Sequence, residues 1–123
     1  MSGYSHLIEF LQNEGYRHEE RETSVAFKIE GVNYIGFRNN DSVFLQIVLI
    51  CNTQGVDRVK LLEACNDLNS KKFVVKFTVT DDSESVWASY EFEPNDSTTN
   101  DDYMSIFGML DRNTDELFKL LKE

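Results

Sequence analysis

The residues most able to do chemistry lie together in Cys65-Asn66-Asp67-Leu68-Asn69, a thiol, two amides and an acid in one short run. A nucleophilic cysteine needs a depressed pKa, supplied by a neighbouring imidazole or by the N-terminus of a helix. The surrounding LLEACNDL instead reads as the closing turns of an amphipathic helix, where the dipole opposes a thiolate. Neither histidine is placed to help from sequence: His6 falls in the first turn of a predicted helix and His18 in the charged run RHEERE. A nucleophile–base pair also needs an oriented third group and a pocket, so surface roles are expected for both imidazoles. The cluster is better read as a helix stop. Asparagine tolerates left-handed backbone, and its amide can satisfy carbonyls left unpaired in a last turn. Asn66 and Asn69 form the expected helix-ending pair, with Lys71 and Lys72 at the negative end of the dipole. The competing reading is a small cytosolic enzyme or small-molecule-binding protein that uses Cys65.

Metal chemistry has little support. The spacings of Cys51 and Cys65, and of His6 and His18, match no zinc pattern. Asp96-x-Thr98-x-Asn100-x-Asp102 resembles the start of a calcium loop, but its sixth position is Asp101 where the loop needs glycine, and its twelfth is Phe107 where it needs glutamate. No glycine-rich phosphate loop and no G-x-S-x-G elbow is present. The expectation is no catalytic residue, no metal and no cofactor.

The elements that carry these residues follow from periodicity. Ser5 can cap a helix through HLIEFLQNE, with Leu7, Ile8 and Leu11 at helical spacing and Gly15 as the exit. From Thr23 the period falls to two: Val25, Phe27 and Ile29 alternate with polar neighbours, and Glu30-Gly31 turns into a run from Val32 to Arg38. Asn39-Asn40-Asp41 turns again into Ser42 to Cys51, apolar on both faces and therefore central or covered on both sides. Asp57 can cap a second helix through Leu68. Phe73, Val75, Phe77 and Val79, then Val86, Ala88, Tyr90 and Phe92, predict a hairpin around DDSES. After Pro94, Thr99 or Asn100 caps a third helix whose core face is Tyr103, Phe107, Leu110, Leu117 and Leu121, with Gly108 as a candidate bend. The order is α-β-β-β-α-β-β-α, an α+β class with a five-stranded antiparallel sheet and three helices.

With 123 residues, 41% of them hydrophobic, the chain has the size and composition of one globular domain, 1–123. Its net charge of −10 repels phosphate backbones and acidic head groups, so neither nucleic acid nor a membrane surface is an expected partner. The longest apolar block, VFLQIVLIC, is too short to span a bilayer, and no signal peptide opens the chain, which predicts a cytoplasmic protein with reduced cysteines.

Strand alternation puts Tyr34, Phe44, Val48, Val74 and Trp87 on faces opposite the most regular apolar rows. With the helices mainly on one side of the sheet, these residues form a candidate protein-interaction surface, unless helix two or a second chain covers them. Trp87 is the preferred anchor. The run LLEACNDLNSKKFVVKFTVTDDSESVWASYEF resembles the YbjN-like family of proposed bacterial sensory-transduction regulators, in a helix with a paired-Asn ending followed by two strands around an acidic turn. The element order is also similar to that of type III secretion chaperones. These resemblances imply a small acidic protein, commonly a homodimer, that binds extended protein segments and carries no catalytic residues to transfer. They give a noncatalytic interaction domain, chaperone-like or a regulatory adaptor with a protein partner, as the leading expectation, and a dedicated secretion chaperone as a narrower variant.

Overall fold

The computed structural model describes residues 2–38, 43–71 and 74–123. The expected turn Asn39-Asn40-Asp41, the strand start at Ser42, and Lys72 and Phe73 lie outside them.

Helix α1 spans Gly3–Glu14 and ends on Gly15 in the left-handed conformation. Its N-cap is Ser2, not Ser5: the Ser2 hydroxyl accepts from the Ser5 backbone N–H at 3.1 Å, so Ser5 occupies the third helical position. The sheet has six strands rather than five. The additional strand, β1 (His18–Glu20), pairs antiparallel with β2 (Ser24–Ile29). It comes from the charged run RHEERE and pairs through its backbone, its side chains carrying no apolar alternation. β2 turns into β3 (Val32–Phe37) through Glu30 and Gly31, both at positive φ (49° and 84°), the requirement of the two-residue hairpin turn that matches strand twist. β4 (Leu45–Asn52) follows, then α2 (Arg58–Lys71), β5 (Lys76–Val79), β6 (Ser85–Phe92) and α3 (Asn100–Leu121). Asp57 begins α2, its carboxylate accepting from the Lys60 N–H. Thr99 begins α3 in a reciprocal pair with Asp102. α3 continues through Gly108 without interruption.

The strand order is β1-β2-β3-β4-β6-β5, every neighbour antiparallel. β4, α2 and β5 therefore make a crossover with β6 inserted between its two strands. β4 is central, as its two-sided apolar pattern requires.

The register assigns each row to a face. Phe27, Tyr34, Leu49, Ala88 and Phe77 form one continuous row across the sheet. The helices pack on this face: α1 brings Leu7 against Gly36, α3 brings Phe107 against Phe27 and Tyr34, and α2 brings Cys65 toward Cys51. Leu7, Leu11, Ile47, Leu61, Leu110 and Leu117 are fully buried between the layers. Each such side chain contributes about 1.5–3 kcal/mol of transfer free energy. The opposite face, termed the open face, carries Ala26, Ile35, Phe37, Val48, Ile50 and Trp87 and, among the described residues, no helix.

The sheet has two edges. β1 is short and charged, which discourages edge pairing. β5 is closed differently. The Asn69 side chain donates to the Phe77 carbonyl at 2.9 Å and accepts from the Phe77 N–H at 2.8 Å, so the amide imitates a neighbouring strand. Asn66 and Asn69 therefore do not end the helix at Leu68: α2 continues to Lys71, Asn66 is exposed inside it, and Asn69 bonds to β5. The amide of Asn69 is taken by the strand, and Lys71 sits in the last turn, where it also pairs with Asp67 at 3.0 Å.

Candidate functional site

The two thiols lie inside the core. Cys51 on β4 and Cys65 on α2 are both buried, and burial pushes their pKa values up to about 12 and about 11. A buried thiol held protonated far above neutrality is a poor nucleophile. The histidines have other partners. His6 Nε2 lies 3.0 Å from the Asn95 carbonyl, which can only accept, so that nitrogen carries the proton and Nδ1 accepts from the Tyr103 hydroxyl at 2.7 Å. Both ring nitrogens of His6 are thus engaged, one by α3 and the other by the loop that precedes it. His18 donates from Nδ1 to the Tyr16 carbonyl at 2.9 Å. Burial raises the Tyr103 phenol, which stays a neutral donor. Of the residues resembling a calcium loop, Asp102 has its carboxylate on the Thr99 N–H and Thr98 has its hydroxyl on the Asn95 N–H. Among the described residues no group of three or more ionisable ligands converges, and no helix is long and apolar enough to cross a membrane.

The expected interaction residues divide. Tyr34 is on the helix face, 2% exposed, and its hydroxyl donates to the Phe107 carbonyl at 2.9 Å, so it belongs to the core and not to a surface. The signal that places it was local: a two-residue turn at Glu30-Gly31 pairs Ile29 with Val32 and hence Phe27 with Tyr34. Val48 is on the open face but is fully buried. Phe37 and Trp87 stack over it from the flanking strands, ring centroids 5.4 Å apart at 22°. Trp87 is on the open face and partly buried. Phe44 and Val74 are exposed, 45% and 53%, beside the ends of β4 and β5. Ile35, Phe37 and Ile50, outside the expected set, share the open face. Ile50 is paired with Trp87 and is 39% exposed.

The open face is also charged at one end. A groove of about 630 Å³ runs along β1, β2 and β3, with Ala26, Ile35 and Ile50 beneath it and Arg17, Arg21 and Lys28 around it. Glu19 is the acidic residue among its lining side chains, and it pairs with Arg21 at 3.8 Å. Both partners of that pair are well exposed, so its contribution is small. Stacked aromatics, an exposed isoleucine and a set of cationic side chains therefore share this face.

The model of the YbjN family, described as "Putative bacterial sensory transduction regulator", matches residues 4–123. Among solved structures, YbjN from E. coli aligns over 96% of this chain and 88% of its own with TM-score 0.64 at 12% identity. An uncharacterized protein from Methanothermobacter thermautotrophicus aligns over 98% and 96% with TM-score 0.68, also at 12% identity. At that identity the likeness establishes the fold. Comparison with curated proteins gives no match.

Proposed function

The chain belongs to the YbjN family, and on that premise we propose that it is a noncatalytic regulatory interaction domain that holds an extended segment of a partner protein across the open face of its sheet. One observation carries the reading: the helices pack on one face, and the other presents the Phe37–Trp87 stack and the exposed Ile50. Contiguous apolar surface of this kind marks interaction sites. The raised thiol pKa values and the engaged imidazole of His6 weigh against Cys65 chemistry. A cytoplasmic setting and self-association into a homodimer belong to the same proposal. Neither nucleic acid nor a membrane surface is proposed as a partner, because a net charge of −10 repels both.

The test is affinity capture from the native host with three baits: the unaltered chain, Trp87→Ser with Ile50→Ser, and Val59→Ser with Leu62→Ser on exposed α2 positions. Partners retained by the first and third baits and lost from the second support docking on the open face. Identical capture by all three refutes it. Light scattering over a range of concentrations reads the dimer, and iodoacetamide labelling of the folded chain reads the thiols. Rapid modification near neutral pH would favour the enzyme reading instead.

A further inference from the structure

Strand register places a polarity gradient across the open face. Lys28 pairs with Asn33 and Ile50 pairs with Trp87. Arg17, just before β1, lines the same groove as Lys28, Asn33 and Ile50. Across this face the side chains thus run from two cations, Arg17 and Lys28, through the amide of Asn33 to the apolar Ile50 and Trp87. From the start of β1 through β2, β3 and β4 to β6, at about 4.8 Å per strand, this is about 19 Å, the length of roughly six extended residues.

The cationic end is out of keeping with the rest of the molecule. In a chain of net charge −10, Arg17, Arg21 and Lys28 surround one groove against a single lining carboxylate, Glu19. Glu19 is paired with Arg21, and Arg17 and Lys28 form no ion pair among the described residues. Like charges set beside each other repel, and an incoming carboxylate relieves that repulsion while making two attractions. From this charge complementarity, and resting on the open-face reading above, we infer that the partner segment is acidic at one end and apolar at the other. Its carboxylates sit over Arg17 and Lys28, and its apolar side chains sit over Ile50 and Trp87. The gradient fixes its direction across the strands, and the surrounding negative field resists acidic segments that dock elsewhere.

The experiment uses the full chain and a blocked nine-residue peptide with four glutamates in its first half and valine and leucine in its second. Companion peptides carry glutamine or lysine in place of glutamate. Fluorescence of Trp87, the chain's one tryptophan, and amide shifts of the labelled protein report binding and its location. The glutamate peptide is expected to bind best, to shift the amides of Lys28, Asn33 and Ile50, and to weaken as salt is raised. Arg17→Gln with Lys28→Gln weakens it about 2- to 30-fold, as the loss of two exposed charge pairs implies. Glu19→Gln removes the competing carboxylate and tightens binding about 2-fold, a gain that a damaged fold does not produce. Equal binding of the glutamine peptide, with the same Trp87 response, overturns this inference and leaves the open-face reading standing. Preference for the lysine peptide overturns it also. Binding of none of the three overturns both.

Discussion

Replacing Asn69 by alanine tests how α2 and β5 are joined. The amide makes two hydrogen bonds to the Phe77 backbone, at 2.8 and 2.9 Å, across a partly buried gap. Each such bond contributes about 0.5–1.5 kcal/mol net, and alanine recovers about 0.5 kcal/mol through its better helix propensity. The expected loss is therefore about 0.5–2.5 kcal/mol in urea unfolding at pH 7, with unchanged slope. Asn66→Ala, at an exposed position on the same helix, has only the propensity gain and should stabilise by about 0.5 kcal/mol. Opposite signs from two asparagines three residues apart are the diagnostic result. Asn69→Asp keeps an acceptor for the Phe77 N–H but sets a carboxylate against the Phe77 carbonyl in the last turn of α2, and should cost more than alanine. Hydrogen exchange gives the local readout: the Phe77 amide, protected by Asn69, exchanges faster in Asn69→Ala. An unchanged midpoint together with unchanged Phe77 protection would refute the pinning role.

The thiols predict an alkaline limb. Their folded pKa values, about 12 for Cys51 and about 11 for Cys65, lie above the ordinary 9.0, so the unfolded chain releases both protons first. Their contribution is complete below about pH 8 and is lost as pH rises toward the folded values, by roughly 1 kcal/mol per thiol between pH 8 and 10. Urea unfolding at those two pH values should show a fall roughly 2–3 kcal/mol larger in the parent than in Cys51→Ala with Cys65→Ala, and equal falls would contradict the burial argument. Gly3 and Gly108 make a second contrast. A methyl on Gly3 would lie 2.5 Å from the Val43 carbonyl oxygen and 2.9 Å from the Leu45 nitrogen, backbone atoms that cannot rotate away. Gly3→Ala should therefore cost about 1–3 kcal/mol or more. On Gly108 the nearest neighbour is the mobile end of Arg112 at 3.2 Å, so Gly108→Ala should raise the thermal midpoint through about 1 kcal/mol of helix propensity.

Local pattern alone determined much of this protein. Period-two rows gave β2 to β6, and the Glu30-Gly31 turn gave the first hairpin. The apolar stripes gave the three helices, and Asp57 and Thr99 gave two of their starts. Each of these is specified within a few residues, where side-chain spacing and capping chemistry act. The tertiary structure decided what needs a distant partner. β1 exists because its backbone finds β2, and charged side chains announce no such pairing. The turn puts Tyr34 in the row of Phe27, and the packing of Phe107 decides that the helices cover this row and not that of Ile35. Asn69 reaches a strand eight residues ahead instead of its own last turn, since the register of β5 presents the Phe77 N–H and C=O to it. Arg17, Lys28, Ile50 and Trp87, scattered along the chain, meet on one face because antiparallel pairing brings together strands that sequence separates.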